Sequence, residues 1–244
     1  MSNPYFQFRQ FTIHQDQCAM KVCTDACILG AWFSEKVPSW SRVLDIGSGT
    51  GLLMLMLAQR HKGEIRGIEL DLAAFRQLQD NIAGSPWKEM LKAFPGDVRT
   101  FSFPDPFDFI IINPPFYEGD LLAPTEPANI ARHSKELTLT ELLPVIDTNL
   151  TVEGSFGILL PHHRTAYFED LAMSQGFYIR EKLLVRQTPH HDFFRSILHF
   201  SRRRENFIPV IELTIKNEEG RYTEEFVELL EEYYLPKAFP ASPA

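Results

Sequence analysis

Residues 110–120 read IIINPPFYEGD: three isoleucines run into an amide, two prolines and an aromatic pair. Proline lacks a backbone N–H and does not belong in a central strand, so a buried strand must stop at Asn113. Three other apolar runs deliver polar groups in the same way. RVLDIGSGTG (42–51) carries Asp45 into Gly47, Gly49 and Gly51, EIRGIEL (64–70) delivers Glu69, and LKAFPGD (91–97) ends on Asp97. Glycine lets a backbone turn tightly and approach a ligand closely. The GxGxG spacing is close to the GxGxxG of a dinucleotide site but differs from it, and glycine turns between strand and helix also arise for structural reasons alone. A carboxylate at Glu69, 18 residues beyond Gly51, can accept both hydroxyls of a ribose. The plainer reading is an acid at a helix N-terminus, where the macrodipole favours it, although Asp71 already serves that purpose. Asp97 can accept the exocyclic amine of an adenine, or it is an ordinary turn aspartate. The recurrence of polar groups at four strand ends is more informative than any one of them.

Strand and helix must alternate to bring those ends together. The strands 42–46, 64–70, 91–97, 107–113 and 154–161 are separated by helical patterns at 52–60, 71–83 and 138–150, the last broken or kinked at Pro144. Residues 119–136 are loop-like, with Pro124 and Pro127. A helix at 164–176 follows, then strands at 177–188 and 193–203 without a helix between them, a strand at 208–216 and an acidic amphipathic helix at 221–235. The near-continuous apolar run FDFIIIN suits a parallel strand buried on both faces. The pattern predicts an α/β fold: an open, mostly parallel sheet with helices on both faces and an antiparallel edge. Ligands of such sheets bind outside the carboxyl ends of the strands. TDACILGAWF predicts a short helix before the first strand, capped by Thr24 or Asp25.

The chain has 244 residues and 44% hydrophobic content, enough for one large domain with a sizeable core. We read it as a single domain, 1–244, with an N-terminal segment (1–41), a core (42–204) and a C-terminal strand and helix (205–244). A formal net charge of −8 argues against a simple electrostatic nucleic-acid sponge, without excluding a local basic face. Cys18, Cys23 and Cys27 are odd in number and form no CxxC, which speaks against a zinc site or a disulfide framework. The N-terminus lacks the order of a signal peptide, and no apolar run approaches ~18 residues. The reading is a soluble, cytoplasmic protein.

Taken together, VLDIGSGTG, GIEL, GDV and NPPF resemble a class I S-adenosylmethionine-dependent methyltransferase with a Rossmann-like sheet, over about residues 42–160. The resemblance implies that Asp45 and the glycine loop hold the methionine part of S-adenosylmethionine, Glu69 its ribose and Asp97 its adenine. It also implies that Asn113, Pro114, Pro115 and Phe116 are catalytic. In such enzymes the Asn-Pro-Pro-aromatic motif serves conjugated NH2 groups: adenine N6, cytosine N4 or a glutamine amide. The nitrogen lone pair there is delocalised. Two acceptors, the Asn113 side-chain oxygen and the Pro114 carbonyl, favour the geometry in which it points at the methyl. Phe116 can stack on an extruded base, and Tyr117 extends that wall. The alternative is a proline turn capped by a core aromatic.

The N-terminal segment narrows the substrate. Residues 6–11 read FQFRQF. Ala19-Met20-Lys21-Val22-Cys23-Thr24-Asp25 and Leu29-Gly30-Ala31-Trp32 follow. These resemble the start of bacterial enzymes that methylate N6 of the adenine 3′ of the anticodon in valine tRNA. The chain departs at Cys23, where that family has glycine. The C-terminal RYTEEFVELLEEYYL resembles the family's end. The resemblance implies that Lys21, Thr24 and Asp25 line the cofactor pocket; from spacing alone they are a helix cap and a surface lysine. It implies tRNA as partner and no metal, membrane or obligate protein partner.

Residues 176–204 hold seven Lys or Arg, including Arg202, Arg203 and Arg204, against Glu181 and Asp192. Such a patch can bind phosphates, or it is only a solvated face. Arg132 and His133 border the substrate mouth or are an ordinary surface pair. Rival readings are a glutamine-N5 protein methyltransferase, an adenine-N6 methyltransferase of ribosomal RNA or DNA, and an inactive RNA- or cofactor-binding homologue. The first usually carries a separate helical N-terminal domain, and about 41 residues precede the first strand here. The second finds no added target-recognition domain for DNA, and the intact NPPF argues against the third.

Overall fold

The apolar runs become the middle of one sheet. The computed structural model describes residues 3–18, 20–114 and 137–239. Strands β1 (Tyr5–Gln7) and β2 (Thr12–His14) form a separate antiparallel hairpin. β3 (Val43–Ile46), β4 (Ile65–Glu69), β5 (Leu91–Pro95), β6 (Phe107–Ile112), β7 (Leu150–Pro161), β8 (Tyr178–Arg186), β9 (Phe193–Ser201) and β10 (Val210–Thr214) form an eight-stranded sheet. Its order is β10-β8-β9-β7-β6-β3-β4-β5.

The sheet is mostly parallel, as expected, but its reversed strand is internal. β9 runs antiparallel to both β7 and β8, whereas β10, at the edge, is parallel to β8. The crossover after β7 delivers β8 one position too far out, and β9 returns into the gap. β9 also stops at Ser201, so Arg202, Arg203 and Arg204 follow the strand and are not ordered by its two-residue alternation.

The helices are α1 (Thr24–Ser34), α2 (Leu52–Ala58), α3 (Leu72–Ala83), α4 (Leu139–Asn149), α5 (Thr165–Ser174) and α6 (Glu224–Leu230). Helices α1, α2, α3 and α6 pack on one face, where Phe109 and Ile111 of β6 point. Helices α4 and α5 cover the other, with Ile110 and Ile112. Period-two alternation thus buries β6 on both sides. Helix α1 is preceded by Cys23, which makes no side-chain cap bond, so neither Thr24 nor Asp25 serves as the cap. Helix α4 opens with a Thr138–Glu141 capping box and continues through Pro144 without a break. The missing N–H of Pro144 falls opposite the exposed Thr140, on the solvated side.

The two ends of the chain lock together. Phe8 stacks on Phe11 at 4.5 Å, and Phe6 and Phe8 lie 5.7 and 6.0 Å from Tyr234. The Arg9 backbone N–H donates to the Tyr233 carbonyl and its Nε to the Tyr234 carbonyl, both at 2.8 Å. The aromatic motifs at either end of the sequence are therefore one structural feature.

Candidate active site

The loop after β3 is built by its glycines. Gly47, Gly49 and Gly51 have φ of 71°, 54° and 85°, a region that side-chain-bearing residues avoid. The Gly47 and Ser48 N–H groups donate to the Ile68 carbonyl at 3.0 and 3.1 Å, which ties the loop to β4. A Cβ added at Gly47 or Gly49 meets no heavy atom within 4 Å, so this loop faces open space. Glu69 closes the frame. Its Oε2 accepts the Gly49 N–H and its Oε1 the Asp71 N–H, both at 2.8 Å. Asp71 caps α3 through Ala73 and Ala74, as expected. Each Glu69 oxygen keeps a lone pair for a further donor.

Asp45 is 1% exposed, and neither carboxylate oxygen has a hydrogen-bond partner among the described residues. Burial pushes its carboxyl up to about 8, and the nearby Glu69 charge adds to the rise. An acid so placed needs a cation or a donor. Among the described residues the Asn113 Oδ1 is likewise buried and without a partner, while its Nδ2 lies 4.0 Å from Met20 Sδ. Val43 and Ile65 pack in the core on the α1 face, so strand alternation turns Asp45 and Glu69 toward that same face, and Asn113, directly after β6, meets Met20 there.

Residues 14–18 and 20–22 lie across this face as a strap. Asn81 of α3, buried at 2% exposure, accepts from the His14 N–H at 2.9 Å and donates to the His14 carbonyl at 3.0 Å. It also donates to the Thr50 carbonyl of the glycine loop at 2.9 Å. Gln77 accepts from the Gln17 N–H and donates to Asp16. Gln15, also buried, accepts the Val22 N–H at 2.8 Å. One amide thus pins both the strap and the cofactor-loop candidate.

Two expected site groups turn to other partners. Asp97 is gripped by Arg99: Nε contacts both oxygens at 2.9 and 3.0 Å, Nη2 contacts Oδ2 at 2.6 Å, and the Arg99 N–H adds 2.9 Å to Oδ1. Those bonds occupy the acceptor capacity of the carboxylate and hold it below the usual range. The plainer reading, a turn aspartate, fits Asp97 better than an open adenine acceptor. Arg99 also reaches Glu141 at the start of α4 at 3.1 Å. Asp25 is buried and paired with Arg195 of β9 at 2.8 Å. Lys21 and Thr24 are exposed beside the strap.

The arginines fare differently from expectation. Arg202 donates to the Thr151 carbonyl at 2.9 Å and to Asp147 Oδ1 at 2.6 Å, and lies over the Phe177 ring at 4.9 Å. Arg204 lies over Tyr178 at 4.5 Å, and Arg203 is exposed. Because β9 is reversed, all three sit at the amino-end rim, opposite Asn113. They do not border the site. Pro115, Phe116, Tyr117, Arg132 and His133 lie outside the described residues. Sequence reasoning missed Gln15, Gln77, Asn81, Arg99 and Arg195, because an amide in an amphipathic helix or an arginine in a strand carries no signal of its distant partner.

Among the described residues no helix is long and apolar enough to cross a membrane, and no cluster of His, Cys, Asp and Glu is arranged to hold a metal ion. The methyltransferase small domain family matches residues 26–157. In structure the chain is similar to a predicted O-methyltransferase from Agrobacterium tumefaciens, with TM-score 0.62 and 17% identity over 84% of this chain and 95% of that one. In sequence it is 42% identical to the tRNA1(Val) (adenine(37)-N6)-methyltransferase of Dyadobacter fermentans, over 96% of this chain and 98% of the relative. It is 38% identical to the enzyme of the same name from Bacteroides fragilis, over 96% and 99%. With its glycine loop, its strand-end acids and Asn113 in this order along one sheet, the chain belongs to the tRNA1(Val) (adenine(37)-N6)-methyltransferase family, within the methyltransferase small domain fold.

Proposed function

We propose that this chain transfers a methyl group from S-adenosylmethionine to N6 of adenine 37 in tRNA1(Val), working as a single domain in the cytoplasm. The observation that carries the reading is the Asn113 Oδ1: buried and without a partner among the described residues, directly after β6 and next to Met20 of the strap. The residues present fit the cofactor. The partnerless Asp45 carboxylate suits a cationic ligand, the Glu69 oxygens keep lone pairs for ribose hydroxyls, and the positive-φ glycine loop faces open space. The sequence resemblance adds Lys21 and Thr24, both exposed, to the residues expected to meet the cofactor. When bound, S-adenosylmethionine supplies an electrophilic methyl on a positively charged sulfur.

The chain's own task is to present the amine. Asn113 Oδ1 accepts one N–H of adenine N6 and the Pro114 carbonyl accepts the other. With both hydrogens held, the nitrogen rehybridises toward a tetrahedral shape and its lone pair is aimed. The amine is neutral, so no strong base is needed before transfer, and the methylated nitrogen sheds its proton readily. The sequence motif assigns Phe116 and Tyr117 to stacking on the extruded base and Arg132 to contact with the RNA. Nucleoside mass spectrometry of total tRNA from cells with and without the gene tests the reading. Loss of N6-methyladenosine supports it. Unchanged tRNA with loss of a glutamine methylation would transfer the activity to protein.

A further inference from the structure

We infer that the rim formed by the carboxyl end of β7 and the amino end of β9 grips the RNA backbone, with His162 and Arg164 as its phosphate donors. The inference rests on the RNA substrate proposed above and adds where that RNA is held. β7 leaves the sheet at Pro161, and His162, His163 and Arg164 follow as one turn of 3-10 helix. β9 runs the other way, so its first residues lie beside that turn, with Pro161 paired to Arg195. This is the same end of the sheet as Asn113. Ile112 pairs with Ile158, so His162 stands one strand over and roughly 10 Å further out, at ~3.3 Å per residue. That separation is on the scale of one nucleotide.

The His162 ring is oriented from below. Its Nδ1 lies 2.9 Å from Ser196 Oγ, and Thr165 Oγ1 donates to the same oxygen at 2.8 Å. Ser196 is fully buried, so its own proton needs an acceptor, and Nδ1 is the one within reach. Nδ1 therefore accepts, and the proton of the neutral ring sits on Nε2, at its other edge. Phe193 packs 5.5 Å from the ring and fixes its plane.

Arg164 lies 4.9 Å over the ring of Tyr167, which is 49% exposed. Among the described residues Arg164 has no carboxylate partner. The neighbouring cations are already paired: Arg186 with Glu212 at 3.1 Å, Arg195 with Asp25 at 2.8 Å, and His190 3.6 Å from Glu218. Among the described residues, His162 Nε2–H and the Arg164 guanidinium thus remain as donors with no acceptor. Such groups match phosphate oxygens, which only accept, and position an RNA without reading its sequence.

The test is a tRNA binding titration across a salt series with the full chain. His162→Phe keeps the ring packing and removes the donor; Arg164→Ala removes the guanidinium. The double variant should bind tRNA about tenfold more weakly. Its slope of log affinity against log salt should be shallower by ~0.7–0.9 for each phosphate that is no longer neutralised. Cofactor affinity should stay at the wild-type value while Tm falls somewhat, because His162→Phe also takes the acceptor from the buried Ser196 hydroxyl; His162→Gln should recover part of the binding, and Arg203→Ala at the opposite rim should change nothing. Wild-type affinity and slope in the double variant would overturn the inference, whatever the methylation result. Loss of tRNA binding beside a wild type that makes no N6-methyladenosine would leave the rim in place and sink the proposed chemistry instead.

Discussion

Asp45 is the residue whose burial has the clearest consequence. Its carboxyl is pushed up to about 8 by burial and then by Glu69. An aspartate in an unfolded chain titrates near 4. Between those values the folded protein keeps a proton that the unfolded chain gives up. The stabilisation from that proton is complete below about 4 and is lost as pH rises through about 8. The cofactor-free protein should therefore melt at lower temperature at pH 8 than at pH 5, and Asp45→Asn should flatten that slope. Thermal scans of both forms across the window check it; a wild-type Tm that does not fall relative to the variant would contradict it. The position of Asp45, Glu69 and Asn113 at neighbouring strand ends was legible in the sequence because each closes or follows an apolar strand. Asp97 was not, because its fate depends on a neighbour two residues away, Arg99, whose fork happens to fold back onto it.

The strap is the element that joins site to scaffold. Asn81 makes three bonds to backbone groups, two on His14 and one on Thr50. Removing it strands the buried Thr50 carbonyl at a cost of ~1–3 kcal/mol and frees the part-buried His14 groups. Asn81→Leu should lower Tm and also weaken cofactor binding, because the glycine loop and the strap lose their common anchor. Hydrogen exchange should rise at residues 14–22 more than at β6. Unaltered cofactor affinity in a folded variant would show that the strap is only a covering. None of this was visible in advance. β1 and β2 are three residues each, too short for periodicity to register, and Phe6 of β1 and Phe8 just after it lie against Tyr234 at the far end of the chain. The long central strands were visible because burial on both faces demands continuous apolar sequence.

At the scale of the whole molecule, the direction of one strand decides which rim meets the substrate. The sequence announced two late strands without a helix between them, and composition placed basic residues at their ends. It carried no information on which end faces Asn113. The pairing of β9 between β7 and β8 puts Arg202, Arg203 and Arg204 at the amino-end rim, where Arg202 serves Thr151 and Asp147. The same reversal brings Arg195 to Asp25 and Ser196 to His162 at the working rim. A net charge of −8 is therefore compatible with a polyanionic substrate, because the donors that matter are few and local. The central claim is that Asn113 holds the reacting amine. Its most direct test is the turnover of purified wild type and Asn113→Ala on tRNA1(Val), with cofactor affinity measured alongside. The account predicts N6-methyladenosine at position 37 from the wild type. For the variant it predicts kcat lowered by at least about 100-fold, the loss typical of removing one preorganised hydrogen-bonding group, with cofactor affinity retained. Near-normal turnover by Asn113→Ala would contradict it and reduce the Asn-Pro-Pro turn to a structural stop.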